Sequence, residues 1–113
     1  MPKLPSISDA EWDVMHVVWA RDVVTAQEVH AALERARGWS PRTVKTLLAR
    51  LVKKGALAFE ADGRRYLYRA RIQREPCVRA VSRSFIDRVL GGSPSPLLAA
   101  FLRDTKLSAR ELD

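Results

Sequence analysis

The 113 residues contain a single cysteine, Cys77, which excludes an intrachain disulfide and a cysteine-built metal site. Histidine is nearly absent too. His16 and His30 lie far apart and belong to no metal-ligand motif, so no metal site and no cofactor are expected. Nucleophilic catalysis requires a nucleophile beside an activating base. No such pairing, no H-x-x-x-H and no phosphate loop is present, so no catalytic residue is expected and the chain does not read as an enzyme. Cys77 stands beside Pro76 and Arg79, a charge that would lower its pKa, but the isolated thiol has no partner for chemistry. Long apolar runs are missing, which excludes membrane insertion. Met1-Pro2-Lys3-Leu4-Pro5 lacks the apolar run of a signal peptide. These absences read as a soluble, cytoplasmic protein. Repeats, low-complexity tracts and heptads of coiled-coil length are also lacking, while the 47% apolar content is too high for a disordered chain.

What is present is basic charge, unevenly placed. The net charge is +7. Residues 1–34 are net −4, residues 35–71 net +9 and residues 72–113 net +2. A concentrated basic third suits a polyanion; ordinary solubility charge is the alternative.

Ser8 and Glu11 have capping-box spacing. Behind them Trp12, Met15, Val18 and Trp19 recur at helical intervals, predicting a helix over about 9–20 with both tryptophans in the core. Thr25 and Glu28 repeat the capping box. Ala26, Val29, Ala32 and Leu33 then predict a second helix, which Gly38 ends near residue 37. Ser40-Pro41 opens a third, with Pro in the first helical position. Its buried stripe is Val44, Leu47, Leu48 and Leu51. Arg42, Thr46, Ala49 and Lys53 lie opposite, flanked by Lys45 and Arg50. The period then changes. Residues 56–60 alternate like a strand, Asp62-Gly63 is a turn signal, and residues 65–69 alternate again. This predicts a β-hairpin with Asp62, Gly63 and Arg64 at its tip. Tyr66 and Tyr68 share one face, as hairpin core or as base-stacking residues.

Helical periodicity returns from Glu75, with Val78, Val81, Phe85, Val89 and Leu90 on one face. Gly91-Gly92-Ser93-Pro94 breaks it. Leu97, Leu98, Phe101 and Leu102 start another helix, Lys106 to Ser108 read as a turn, and Ala109 to Asp113 begin a last helix. The fold class is mainly α with a small β-hairpin wing. A winged helix-turn-helix domain over residues 1–72 is followed by a helical dimerisation domain over 73–113.

The third helix buries one stripe and presents short polar and long basic side chains on the other. Arg42, Thr43, Lys45, Thr46, Ala49, Arg50 and Lys53 fit base edges, thymine methyls and phosphates. Ser40 and the free N–H groups of the first turn fit a phosphate. Arg64 and Arg65 in the wing fit a phosphate strand or a minor groove. Trp39 reads as a staple-like contact beside the cap. The apolar set Val78, Val81, Phe85, Val89, Leu97, Leu98, Phe101 and Leu102 must cover something. A second copy of the chain is the economical partner, since twofold symmetry places two recognition helices on two half-sites of a palindrome. Packing onto the first helix is the alternative. Function therefore divides between a dimeric, sequence-specific repressor on double-stranded operator DNA and a winged-helix protein-interaction or nonspecific nucleoid-binding module.

Three separated segments carry a family likeness. Ile7-Ser8-Asp9-Ala10-Glu11-Trp12-Asp13-Val14-Met15, continued by Val17-Val18-Trp19, is the first. The second runs from Trp39-Ser40-Pro41-Arg42-Thr43-Val44-Lys45-Thr46 through Gly55-Ala56-Leu57. The third joins Gly63-Arg64 and Tyr66-Leu67-Tyr68 to Ser82–Phe85. Over about residues 4–110 the chain resembles the penicillinase and methicillin-resistance repressor family of winged-helix regulators. The resemblance implies a homodimer that represses a promoter, with control of a β-lactam-resistance or related stress-response gene. It also implies a membrane sensor protease as partner, with regulatory cleavage at an Asn-Phe bond whose counterpart here is Ala100-Phe101. The cysteine-rich metal site of the family's copper-responsive branch has no counterpart.

Overall fold

The computed structural model describes residues 4–104. The turn expected at Lys106 to Ser108 and the helix expected from Ala109 lie outside them. The chain divides into two compact units, Met1–Cys77 and Val78–Asp113.

The first unit holds α1 (Asp9–Arg21), β1 (Val23–Val24), α2 (Ala26–Arg37), α3 (Pro41–Lys53), β2 (Leu57–Asp62) and β3 (Arg65–Ala70). Both capping boxes close. Ser8 Oγ accepts from the Glu11 N–H at 3.2 Å, and the Glu11 carboxylate accepts from the Ser8 N–H at 2.9 Å. Thr25 and Glu28 repeat the exchange at 3.1 and 2.9 Å. Gly38 ends α2 in the left-handed conformation (φ 66°), which only glycine adopts without strain. The sheet runs β1-β3-β2, all antiparallel. β1 is an addition to the expected order. Two residues are too short to show alternation, and Val23 and Val24 are set as strand by pairing with Arg69 and Tyr68.

The core joins Val14, Met15 and Val18 of α1 to Val24, Val29, Leu33, the stripe Val44, Leu47, Leu48 and Leu51 of α3, and Ala56, Leu57 and Tyr68. Two expectations about its lining need correction. The α1 tryptophans flank the core instead of filling it, because Val14, Met15 and Val18 already occupy the inward stripe. Trp12, His16 and Trp19 form a triangular cluster with ring centroids 5.6 to 5.9 Å apart. Trp19 is half-buried at the core edge, and its Nε1–H donates to the Ile72 carbonyl at 3.0 Å. Ala32 is exposed, since Val29 and Leu33 alone face inward from the middle of α2.

A buried carboxylate ties the recognition helix to α1. Glu11 is 1% exposed and accepts a charged hydrogen bond from Lys54, the cap residue of α3. Lys54 Nζ also donates to the Ser6 carbonyl at 2.8 Å. Burial alone would raise the Glu11 carboxyl pKa. The bonds from Lys54 and Ser8 together outweigh it and hold the group below the usual carboxylate range.

The boundary between the units falls within α4 (Arg74–Val89), and α5 (Ser95–Asp104) follows. The Leu90 and Gly92 N–H groups both reach the Ile86 carbonyl, at 3.1 and 3.0 Å, closing α4. No residue of α5 is buried.

Candidate nucleic-acid interface

The interface is built on α3. Core packing of Val44, Leu47, Leu48 and Leu51 fixes the helix, so its opposite face is set without loop freedom. Arg42, Thr43, Lys45, Thr46, Ala49, Arg50 and Lys53 are all exposed there. The structure divides them. Arg42, Thr43, Thr46, Leu47 and Arg50 line a shallow hollow on the helix itself. Lys45 instead faces the wing, in a cleft of about 520 Å³ with Arg64, Arg65, Tyr66, Tyr68 and the start of α2 at Thr25, Ala26 and Gln27. Lys53 belongs to neither and stands exposed in the last turn.

The wing is a tight hairpin in which Asp62 pairs with Arg65 across a two-residue loop, Gly63-Arg64. Gly63 takes a positive φ of 65°, as the first central residue of a type II′ turn requires. Arg64 alone therefore projects at the tip. Arg65 is held by Asp62, with Nε and Nη2 both on Oδ2 at 3.1 and 3.0 Å. Phe59, Tyr66 and Tyr68 pack along one wing face, with centroids 4.6 Å apart for Phe59–Tyr66 and 6.2 Å for Phe59–Tyr68. Tyr68 closes the core, and burial raises its phenol pKa. Tyr66 is 49% exposed, so the two tyrosines that sequence treated alike have different surroundings.

Ion pairing separates the basic residues. Arg37 is paired with Asp13, Lys54 with Glu11, Arg65 with Asp62 and Arg69 with Glu60. Among the described residues no carboxylate pairs with Arg42, Lys45, Arg50, Lys53 or Arg64. Arg21, Arg35, Arg71 and Arg74 carry no ion pair among the described residues either, so the α3 face and the wing tip are distinguished by the grouping of their unpaired cations.

The Ser40 expectation is modified. Ser40 Oγ accepts from the Thr43 N–H at 3.2 Å, and its hydroxyl bonds that of Thr43 at 3.1 Å. Pro41 has no N–H, so the first turn of α3 offers little to a phosphate beyond Arg42. The start of α2 offers more, because capping by Thr25 satisfies Glu28 and leaves the Ala26 and Gln27 N–H groups at the cleft. Sequence reasoning missed that contribution, although the Thr25–Glu28 box marked the helix start. Cys77 lies outside the interface. It is 3% exposed, and burial pushes its thiol pKa up, reversing the lowering expected from Arg79.

Among the described residues no cluster of His, Cys, Asp or Glu could hold a metal ion, and no helix is long and apolar enough to cross a membrane.

A statistical model of the family described as penicillinase repressor matches residues 7–113. The chain belongs to the penicillinase repressor family. That family comprises DNA-binding transcriptional repressors, a non-enzymatic class. The penicillinase repressor of Bacillus licheniformis is 37% identical over 113 residues, covering 100% of this chain and 88% of the relative. The methicillin resistance regulatory protein MecI of Mammaliicoccus sciuri is 31% identical over 111 residues, covering 98% and 90%. The DNA-binding domain of the repressor BlaI superposes with a TM-score of 0.59 and 43% identity, over 66% of this chain and 90% of that one. The monomeric form of Bacillus licheniformis BlaI in complex with the blaP half-operator gives 0.57 and 43%, over 66% and 92%. The winged-helix class expected from sequence stands.

Proposed function

We propose that two copies of this chain hold a palindromic operator in the cytoplasm and repress the promoter that contains it. Residues 1–72 bind DNA and residues 73–113 dimerise. α3 enters the major groove of each half-site, and the wing follows the backbone. The observation that carries this reading is the grouping of unpaired cations on the exposed face of α3 and at the wing tip. Arg42, Lys45, Arg50, Lys53 and Arg64 carry no ion pair among the described residues, and four of these five cations stand on the exposed face of α3. Arg42 and Arg50 flank the hollow at the centre of the α3 face and fit base edges. Lys45, Arg64 and the start of α2 fit a phosphate in the cleft. Arg65 contributes less than Arg64, because Asp62 offsets its charge.

Dimerisation is supported by the second unit. Val81, Phe85, Val89, Leu98, Phe101 and Leu102 are exposed, Leu102 by 73%. Val78 and Leu97 are half-buried. An apolar surface of this extent calls for a cover. A second copy supplies one symmetrically and joins two recognition helices. The Ala100-Phe101 bond lies in the middle of α5, so a sensor protease acting there must first open a helix. The regulated gene we favour is one of β-lactam resistance or a related stress response.

The test is titration of single alanine variants against a duplex selected from a random library and against its scrambled counterpart, at several salt concentrations. Arg42→Ala and Arg50→Ala should each weaken the selected duplex by roughly 1–3 kcal/mol and relax sequence choice. Arg64→Ala should weaken both duplexes alike and reduce the salt slope by about one. Unchanged binding in all three variants contradicts the assignment.

A further inference from the structure

Thr46 stands in the hollow between Arg42 and Arg50, with Thr43 and Leu47 completing the lining. Its hydroxyl is committed to its own helix. Thr46 Oγ1 donates to the Arg42 carbonyl at 3.0 Å. A hydroxyl has one proton, so Thr46 has none to give a base while that bond is kept. The Thr43 hydroxyl is engaged as well, at 3.1 Å from Ser40 Oγ. Leu47 is 5% exposed and contributes only hydrocarbon. Between two guanidinium groups, then, the hollow presents the Thr46 methyl group and an aliphatic wall, with the Thr46 oxygen left only as an acceptor. Exposed Ala49, three residues beyond Thr46, extends that apolar strip.

The major-groove edge of a base pair has one apolar feature, the 5-methyl group of thymine. We propose that Thr46 is a specificity-determining residue that reads a thymine 5-methyl group through its own methyl, with Arg42 and Arg50 fixing the flanking positions. This rests on the DNA-binding reading above and assigns to one position of α3 the chemistry it selects. The hydroxyl serves to hold the rotamer and takes no part in base reading. Threonine is thereby equivalent to valine at this position and different from serine.

The test uses the full-length protein and a duplex that it selects from a random library. The same duplex is prepared with deoxyuridine at every thymine, which removes the 5-methyl group and leaves each base-edge donor and acceptor in place. Wild type should bind the deoxyuridine duplex at least fourfold more weakly, about the factor one buried methyl is worth. Scrambled duplexes of the two kinds should bind alike. Thr46→Val should keep both the affinity and the thymine preference. Thr46→Ser should lose affinity for the thymine duplex and discriminate less between the two. Equal wild-type affinity for both duplexes overturns the inference. So does a Thr46→Val variant that binds weakly while Thr46→Ser binds like wild type, since the hydroxyl would then be the reader. A protein that enriches no sequence at all overturns the sequence-specific reading itself, and this inference with it.

Discussion

The two units of this chain treat their apolar side chains in opposite ways. In Met1–Cys77 the large aliphatic residues of α1, α2 and α3 are buried within the unit, and the exposed face of α3 is polar and basic. In Val78–Asp113 the apolar side chains of α4 and α5 remain at the surface, and none is buried. The first unit meets its partner through charge and shape on a finished fold. In the proposed dimer the second meets its partner through the side chains that would otherwise form its own core. On that proposal, affinity for an operator has two separable sources, contacts made by each α3 and the linkage of two such helices.

The largest expected effect comes from breaking the second source alone. A double variant, Val89→Asp with Leu98→Asp, places charges among side chains that are 59% and 56% exposed in the single chain and covered in the proposed dimer. Sedimentation should find wild type dimeric at micromolar concentration and the variant monomeric. Far-ultraviolet circular dichroism should show the winged unit still folded. Affinity for the selected palindrome should fall at least a hundredfold, about 2.8 kcal/mol. A monomeric variant that keeps full affinity would show that the second unit plays no part in holding DNA.

A smaller effect is expected within the first unit, where Glu11 ties α1 to Lys54 at the end of α3. Removing the charge with Glu11→Gln leaves Lys54 without its partner and should cost about 1–2 kcal/mol of stability at neutral pH, less than a fully buried pair because Lys54 reaches solvent. The sign with pH follows from the lowered carboxyl pKa. A group depressed by folding stabilises above its unfolded pKa, and that contribution is lost as pH falls through the folded value. Urea midpoints of wild type and variant should therefore differ at pH 7 and converge below about pH 4. Parallel midpoints across that range would deny the ion pair its role.

The smallest effect is expected at Cys77. Cys77→Ser buries a hydroxyl in place of a thiol and should cost roughly 1 kcal/mol of stability. Affinity for the selected duplex in reducing buffer should stay within tenfold of wild type. A larger loss would reveal a thiol function outside the account.

Sequence showed most of the first unit because its signals are local. Two capping boxes, Ser40-Pro41 and Gly38 each act within a turn of themselves, and the structure closes every one. The α3 face was legible for the same reason, since four buried residues fix where the other side points. What sequence left out depends on distant partners. β1 exists through pairing with β3, about forty-five residues away. Trp12 and Trp19 share the helical period of the core but lose the inward positions to smaller neighbours. The ion pairs that separate free cations from neutralised ones span up to forty-three residues, as from Glu11 to Lys54. Burial of Cys77 likewise depends on what packs around it, which is why proximity to Arg79 in sequence misled about its pKa.

The central claim is that a basic α3 on each of two chains, joined through the second unit, holds one DNA molecule. Fluorescence anisotropy of the full-length protein on duplexes carrying one or two selected half-sites tests it most directly. The account predicts two chains on the double site and an affinity at least a hundredfold tighter than on the single site. Equal affinity per half-site on both duplexes would contradict it.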